Sequence, residues 1–345
     1  MTVRIWINRT YATNVHAIRM LRENPAGEPL WVLGSHTDLD SPVLTQCDSV
    51  FPEPAGLSGA AYVELALDVC ADQGIDVFWP TRHQEAVAAA RHRFEALGTR
   101  VMVSPAEAIA LFEDKDATYR SALSLGVPVP EYRTVTTAEE FVAAYEDLDA
   151  IGHEVCFKPT TGVGGAGFRV VTTARPTVAS LTAELTSKVH LGTVVELLSS
   201  VPTFEPLMVM PHLTGAELSV DTLSLDGEVG VVIPRRKVDH SRRVELVEAP
   251  ELEEHVRALV GAHRLSYLSN VQFRADATGA LYLLEVNTRA SGGLFQSCLA
   301  GVNMPWAALQ TLRHGAMPHA QPTLPVALTT LPMVVELRSR VAAHA

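Results

Sequence analysis

Short apolar runs alternate with amphipathic stretches along the first hundred residues. Val3-Arg4-Ile5-Trp6-Ile7 reads as a strand, and Val15, Ile18 and Leu21 at helical spacing predict a helix from about Asn14, stopped by Pro25 and Gly27. Residues 30–34 give a second strand. Ser58 is placed to cap a helix with Ala61, Leu65 and Val69 on one side, ended by Gly74. Residues 76–80 predict another strand. Ala86, Ala90, Phe94 and Leu97 mark the next helical face, and residues 100–103 a further strand. Strands alternating with helices imply an α/β domain, Rossmann-like, with a parallel sheet covered on both faces. Its first β–α turn, residues 8–13, lacks the glycine fingerprint of a dinucleotide site. The loops near Arg9 and Thr81-Arg82-His83 fall where such sheets bind ligands, and ordinary loop polarity is the competing reading.

Past residue 104 the pattern changes. Ser104-Pro105-Ala106-Glu107 and Thr137-Ala138-Glu139-Glu140 each read as a capping box opening a helix. Between them lies a helix just after Lys115, ending near Gly126, then an extended Val127-Pro128-Val129-Pro130. A strand carrying Lys158 runs into Thr160-Thr161-Gly162-Val163-Gly164-Gly165-Ala166-Gly167, and a second strand follows at 168–171. Glycines let backbone N–H groups approach phosphate oxygens, but this loop joins two strands and has no GK[ST], so it is neither a P-loop nor a Rossmann loop. A flap over a nucleotide and a plain flexible hairpin are both open on the glycines alone.

The apolar strand 207–211 breaks at Pro211-His212-Leu213. Met208 and Met210 suit the faces of a flat base and equally suit a core, while Glu217 just beyond is placed to accept from ribose hydroxyls. Residues 217–221 alternate, Asp226-Gly227 turns, and 230–234 return. Arg235, Arg236 and Lys237, then Arg242 and Arg243, form a basic cluster that reads as a solvated face or as the lining of an anionic-substrate pocket. Residues 270–293 predict a β-hairpin turning at Thr278-Gly279. Glu285 and Asn287 are two apart and share a face, with Gln272 on the neighbouring strand. Those hard oxygen donors suit Mg²⁺, and Arg289 follows as a fork for phosphate or carboxylate.

Composition narrows the classes. Of 345 residues, 47% are apolar and 19% charged, enough for two or three domains with real cores. The net charge of −12 argues against a general binder of nucleic acid or anionic membrane, without speaking against a local basic pocket. No signal peptide or membrane span is expected. The four cysteines are far apart and have no CxxC spacing, and the thirteen histidines form no HExxH pair. A cytoplasmic protein with reduced thiols is the expectation.

Together Lys115, FKPTTGVGGAGFRVV, the hinge strand with GAELSVD, and NVQF with LLEVNTRASGG resemble the ATP-grasp superfamily over about residues 1 to 315. The last hairpin is most similar to the synthetase halves of the carbamoyl-phosphate synthetase large subunit, where Gln likewise precedes Glu-x-Asn. The chain also resembles the ATP-grasp group associated with tellurite-resistance gene clusters. The resemblance implies a Rossmann-like domain (1–104), an ATP-grasp domain of two α+β subdomains clamping ATP (105–320, its flap about 118–205), and a tail (321–345). It implies that Lys115 and Lys158 hold phosphates, that Gly164, Gly165 and Gly167 cover them, and that backbone from Met210 through Pro211 and His212 to Leu213 reads adenine and Glu217 the ribose. It further implies that Gln272, Glu285 and Asn287 hold Mg²⁺, with Mn²⁺ as the alternative ion. Arg289, Lys158 and Glu285 would act on the transferred phosphoryl group. Two departures stand out: Pro211 occupies a hinge position that usually carries Glu, and Gln272 replaces an acid.

The implied reaction is ATP-dependent activation of a carboxylate as an acyl phosphate, followed by attack of an amine, with ADP formed. Arg235, Arg236, Lys237 and Arg243 are the expected contacts to an anionic substrate. Expected partners are the small-molecule carboxylate and amine, and a homodimer is compatible with the chain. Two other readings stay open: an enzyme phosphorylating bicarbonate or carbamate, and a non-catalytic ATP-binding regulator. The tail, with a strand or short helix at 331–337, packs on the core or on a second subunit.

Overall fold

The computed structural model describes residues 2–162, 164–174, 177, 187–238 and 243–329. The expected alternation builds a five-stranded sheet from β1 (Val3–Asn8), β2 (Leu30–His36), β3 (Ser49–Pro52), β4 (Val77–Trp79) and β5 (Arg100–Val101). The order is β3-β2-β1-β4-β5 and every pair is parallel. Helices α1 (Val15–Arg22), α2 (Gly59–Gln73), α3 (Gln84–Ala89) and α4 (Arg91–Ala96) connect these strands. The Ser58 hydroxyl accepts from the Ala61 N–H and Gly74 closes α2 at φ 56°, a left-handed conformation that suits glycine. Trp6 stacks on Phe78 at 4.1 Å, and Phe94 meets Phe78 tilted, at 5.7 Å.

The expected single helical face over 86–97 is corrected. Ala90, at φ −94° and ψ 10°, splits it into α3 and α4. The break rotates the second helix, so Phe94 is buried while Leu97 remains 49% exposed. The capping box expected at Ser104 is also absent. Its hydroxyl donates to the Ser266 carbonyl and accepts from the Ser266 N–H, a partner 162 residues away that no local pattern could reveal.

α5 (Ala106–Glu113) is followed by α6 (Lys115–Ser124), whose N-cap Asp114 accepts from the N–H groups of Asp116 and Ala117. The capping box at Thr137 and Glu140 is present and opens α7 (Ala138–Ala150). A second sheet takes β6 (Arg133–Val135), β7 (Val155–Pro159), β8 (Arg169–Thr172), β9 (Lys188–His190) and β10 (Leu207–Pro211) in the order β6-β10-β7-β8-β9. α8 (Leu191–Leu198) follows β9. The glycine loop joins β7 to β8, which pair antiparallel.

A third sheet has the order β15-β14-β11-β12-β13-β16. It takes β11 (Glu217–Leu225), β12 (Glu228–Lys237), β13 (Arg243–Leu246), β14 (Tyr267–Ala275), β15 (Leu281–Asn287) and β16 (Val326–Thr329). α9 (Pro250–Ala262), α10 (Leu294–Cys298) and α11 (Met304–His314) complete the described elements. β16 is a finding the sequence did not suggest: it pairs antiparallel with β13, just before the expected element at 331–337, which lies outside the described residues.

The chain divides into two compact units. One takes Met1–Phe112, Glu217–Gln272 and Val286–Ala345; the other takes Glu113–Ala216 and Phe273–Glu285. In the first unit one continuous core joins Ile5, Ile18 and Leu44 to Ile233, Leu246, Leu294 and Trp306. The second unit holds a core around Phe141, Tyr145, Leu148 and Val209 and another around Tyr119, Cys156, Met208 and Met210. Among the described residues no helix is long and apolar enough to cross a membrane.

Truncating Phe78 to Ala empties a fully buried aromatic site and is expected to cost about 3–5 kcal/mol, whereas Leu97→Ala should change stability by less than about 0.5 kcal/mol. Denaturant unfolding of the two variants checks both values.

Candidate active site

In the second unit, β7 and α6 bring two lysines to one place. Lys158 donates from Nζ to the Tyr119 hydroxyl and to the Leu284 carbonyl, each at 3.2 Å. Lys115, the first residue of α6, donates to the Gly162 carbonyl at 2.7 Å, and its own N–H reaches the Thr160 carbonyl at 2.8 Å. Burial pushes the Lys158 ammonium down to about 8, with the Glu285 carboxylate pulling in the opposite direction. Lys115 is lowered by burial and then by Lys158, against the pull of Glu285. Two lysines and one carboxylate therefore share a desolvated cluster with a surplus of positive charge. Tyr119, wholly buried, was not singled out from the sequence; its place one turn after Lys115 on α6 was the available signal.

Gly162, Gly164, Gly165 and Gly167 all have positive φ, between 67° and 106°. A side chain at any of them is strained, so this loop keeps its backbone bare. Val163, between them, lies outside the described residues.

The hinge strand β10 lies beside β7. Met208 and Met210 are buried with Tyr119, Cys156 and Val170, so their side chains are core. Pro211 keeps its carbonyl, which accepts weakly from the Cys156 thiol at 3.7 Å. His212 is fastened twice to Glu154, through Nδ1 to the carboxylate and through its N–H to the carbonyl, both at 2.6 Å. Leu213 is buried. Glu217, at the start of β11, forms an ion pair with Lys237.

The hairpin forms where expected. The Asp276 carboxylate accepts from Thr278 and Ala280 N–H groups, and Gly279 turns at φ 94°. Glu285 and Asn287 alternate on β15, and Gln272 lies on β14, its neighbour in the sheet. All three are half-buried. The Gln272 amide nitrogen donates to Asn270 Oδ1 at 3.1 Å, which leaves its carbonyl oxygen as the group's acceptor. One carboxylate and two amide oxygens are a hard-oxygen set that fits Mg²⁺.

The first unit holds a buried polar network that the sequence did not reveal. Arg235 is 4% exposed and sits 3.5 Å from the Asp221 carboxylate, which is fully buried. Asp221 accepts from Asn270 at 2.8 Å and from the Ser297 hydroxyl at 2.5 Å. Arg235 also donates to Ser219, Ser291 and Gln296. Gly293 lies against the guanidinium, and a Cβ there would collide with it. The signal was present in β11, where Ser219 and Asp221 alternate at positions buried in a strand. Arg236 and Arg243 both pair with Glu245, so of the basic stretch Arg236, Lys237 and Arg243 lie at the surface in ion pairs while Arg235 turns inward. Arg242 lies outside the described residues. Arg289 stacks its guanidinium over the Tyr11 ring, 4.9 Å from the centroid.

The parallel sheet of the first unit, the glycine hairpin beside two desolvated lysines and the Gln…Glu-x-Asn hairpin belong to a fold shared with several solved structures. N5-carboxyaminoimidazole synthetase from Staphylococcus aureus complexed with ADP superposes at a TM-score of 0.66 with 13% identity, covering 96% of this chain and 83% of that one. The L-amino acid ligase from Bacillus licheniformis gives 0.64 with 15% identity, over 97% and 81%. The biotin carboxylase domain of Hydrogenobacter thermophilus 2-oxoglutarate carboxylase, in complex with MgADP, ADP and bicarbonate, gives 0.64 with 17% identity, over 93% and 72%. More narrowly, residues 203–331 match the family model described as ATP-grasp in the biosynthetic pathway with Ter operon.

Two outcomes are expected. With a native pKa near 8 against 10.5 in the unfolded chain, the proton on Lys158 is bound more tightly in the unfolded state, so the group lowers stability below about pH 8 and that penalty fades as pH rises toward 10.5. Lys158→Met should therefore raise the unfolding midpoint at pH 7, and the gap to the parent should close across that window. Asp221→Ala strands Arg235 without its buried partner and should cost about 3–5 kcal/mol, read by denaturant unfolding.

Proposed function

We propose that the chain is an ADP-forming ligase that phosphorylates a carboxylate to an acyl phosphate and passes the acyl group to an amine. The observation that carries this reading is the cluster of Lys115, Lys158 and Glu285, two cations kept poorly solvated beside a bare glycine loop. Desolvated ammonium groups gain most from a polyanion, so nucleotide phosphates are the ligand this cluster favours. Lys115 and Lys158 bind the phosphates, and the N–H groups around Gly164, Gly165 and Gly167 cover them. The backbone of Met210, Pro211, His212 and Leu213 holds the adenine, and Glu217, on releasing Lys237, accepts from the ribose.

Glu285, Asn287 and Gln272 would hold Mg²⁺, which when bound neutralises charge on the phosphates and polarises the transferred group. Lys158 orients the phosphates through its fixed bonds to Tyr119 and Leu284. Arg289 meets the charge that develops on the phosphoryl oxygens as the substrate carboxylate attacks. The amine then attacks the acyl carbon, phosphate leaves, and the amine proton passes to solvent or to a basic group of the substrate. No enzyme nucleophile is required. Because Arg235 is enclosed with Asp221, we assign it to holding the segment 291–297 rather than to contacting substrate. Arg236, Lys237 and Arg243 are the surface cations that would meet an incoming acid by exchanging their ion pairs with Glu245 and Glu217. We place the protein in the cytoplasm, in keeping with its free cysteines.

A second reading, phosphorylation of bicarbonate, is favoured by Gln272, since one carboxylate in the metal set resembles the carbamoyl-phosphate synthetase pattern. A product assay decides among these. The protein is incubated with Mg-ATP and a fractionated metabolite extract, or with bicarbonate alone, and ADP is resolved from AMP. Extract-dependent ADP that falls by at least about 100-fold in Glu285→Ala is the expected result. AMP as product would overturn the acyl-phosphate mechanism, and ADP driven by bicarbonate alone would establish the second reading.

A further inference from the structure

One face of the six-stranded sheet carries a chain of hydrogen bonds that starts at a buried carboxylate and ends at Gln272. Ser219 and Asp221 alternate on β11, Asn270 and Gln272 alternate on the neighbouring β14, and Arg235 comes from β12 on the other side of β11. Ser219, Asp221 and Asn270 are at most 3% exposed, whereas Gln272 is half-buried.

The carboxylate at the inner end dictates the direction of every bond in this chain, because a carboxylate only accepts. Asp221 Oδ2 takes the Ser297 hydroxyl at 2.5 Å and lies 3.5 Å from the Arg235 guanidinium. Asp221 Oδ1 faces the Asn270 side chain at 2.8 Å. That contact requires the Asn270 amide nitrogen, since the amide turned over would set its oxygen against Oδ1. The Ser219 hydroxyl agrees with this orientation. It accepts from Arg235 at 3.1 Å and from the Asn270 nitrogen at 2.9 Å, so its own proton is directed to Asn270 Oδ1, 3.3 Å away. With its nitrogen committed inward, Asn270 offers only Oδ1 to the next residue out. Gln272 meets that oxygen with its amide nitrogen at 3.1 Å, and its carbonyl oxygen is then the acceptor left for a ligand.

The same geometry discriminates between Gln and Glu at position 272. The two side chains have nearly the same shape, but a carboxylate has no donor for Asn270 Oδ1 and would set oxygen against oxygen where a proton now bridges 3.1 Å. Asn270 cannot turn over to relieve this, because turning over breaks its bond to Asp221. Leaving a buried acceptor without its donor costs roughly a factor of ten in the folding equilibrium. An acid at 272 escapes that cost only by swinging away from the position Gln272 now holds.

We propose that Asp221 and Asn270 are positioning residues that set the polarity of Gln272, so that position 272 presents a neutral carbonyl oxygen to the metal and excludes a carboxylate. The metal role of Gln272 rests on the ligase reading above. The amide polarity and the exclusion of an acid do not.

The test combines a double-mutant cycle on the metal-free full chain with a metal titration. Gln272→Glu is made in the parent and in Asn270→Leu, which keeps the charge of Asp221 and removes the relay. In denaturant unfolding, Gln272→Glu should lower the folding equilibrium constant about tenfold in the parent and less than about twofold in Asn270→Leu. Mg²⁺ binding, titrated in the presence of ADP, should weaken about tenfold or more in Asn270→Leu and in Gln272→Glu, with the metal-free affinity for ADP unchanged in both. A merely structural role for Asn270 would not separate Mg²⁺ affinity from ADP affinity. If Asn270→Leu does not fold, Asp221→Asn takes its place as the second background. Its amide can donate to a turned-over Asn270, whose nitrogen then meets the acid at 272, and the cost of Gln272→Glu should fall in the same way. An equal cost of Gln272→Glu in both backgrounds, or tighter Mg²⁺ binding by Gln272→Glu in the parent, would overturn the proposal. A parent chain that binds ADP but no Mg²⁺, with the stability coupling intact, would instead sink the metal role given to Gln272 and leave the polarity relay standing.

Discussion

A buried ion pair constrains the six-stranded sheet and much of what is placed around it. Arg235 and Asp221 face each other from β12 and β11 with almost no solvent access, and such a pair is tolerable only when its remaining donors and acceptors are satisfied. Ser219, Asn270, Ser291, Gln296 and Ser297 satisfy most of them, while among the described residues the buried Arg235 Nε has no hydrogen-bond partner. Each of these residues is thereby fixed, and two of them matter beyond the network. Asn270 holds the Gln272 amide, and Ser291 ties down the segment that begins with Arg289. A polar cluster of this kind adds little net stability over an apolar core, but its geometry permits few alternatives.

The second unit works by the opposite device. There Lys158 is desolvated, and among the described residues its ammonium is hydrogen-bonded by a tyrosine hydroxyl and a backbone carbonyl. Neutral partners take up two of its donors and Glu285 offsets only part of its charge, so burial dominates its proton affinity. Such a group gains more from an arriving phosphate than a solvated lysine would. The bare glycine loop and the buried methionines of β10 extend the same logic, supplying close backbone approach on one side and a firm apolar support on the other.

Much of this was legible in the chain. The strand–helix alternation of the first hundred residues, the Thr137 capping box, the glycine hairpin after Lys158 and the hairpin carrying Glu285 and Asn287 all rest on local periodicity and turn chemistry, and they form as those rules require. Other features were not legible. Ser104 bonds to Ser266 rather than capping its own helix, because a distant partner outcompetes a local one. The break at Ala90, which exposes Leu97, has no glycine or proline to announce it. β16 is too short to stand out, and only its pairing with β13 makes it a strand.

The sequence by itself determined the order of most elements and the lysine, glycine-loop and Glu-x-Asn motifs, since those depend on neighbours a few residues apart. The tertiary structure alone decided which charges are paired and which are open. Arg235 and Arg236 are adjacent in a basic run, yet strand alternation buries one with Asp221 and turns the other to Glu245. Arg9, Arg82 and Arg289 are far apart in the chain, and they line one recess because the parallel sheet brings the ends of β1 and β4 together and one shared core carries the chain after β15 back to them. Charge type is written locally, whereas the distance between charges, which sets their chemistry, is a property of the fold.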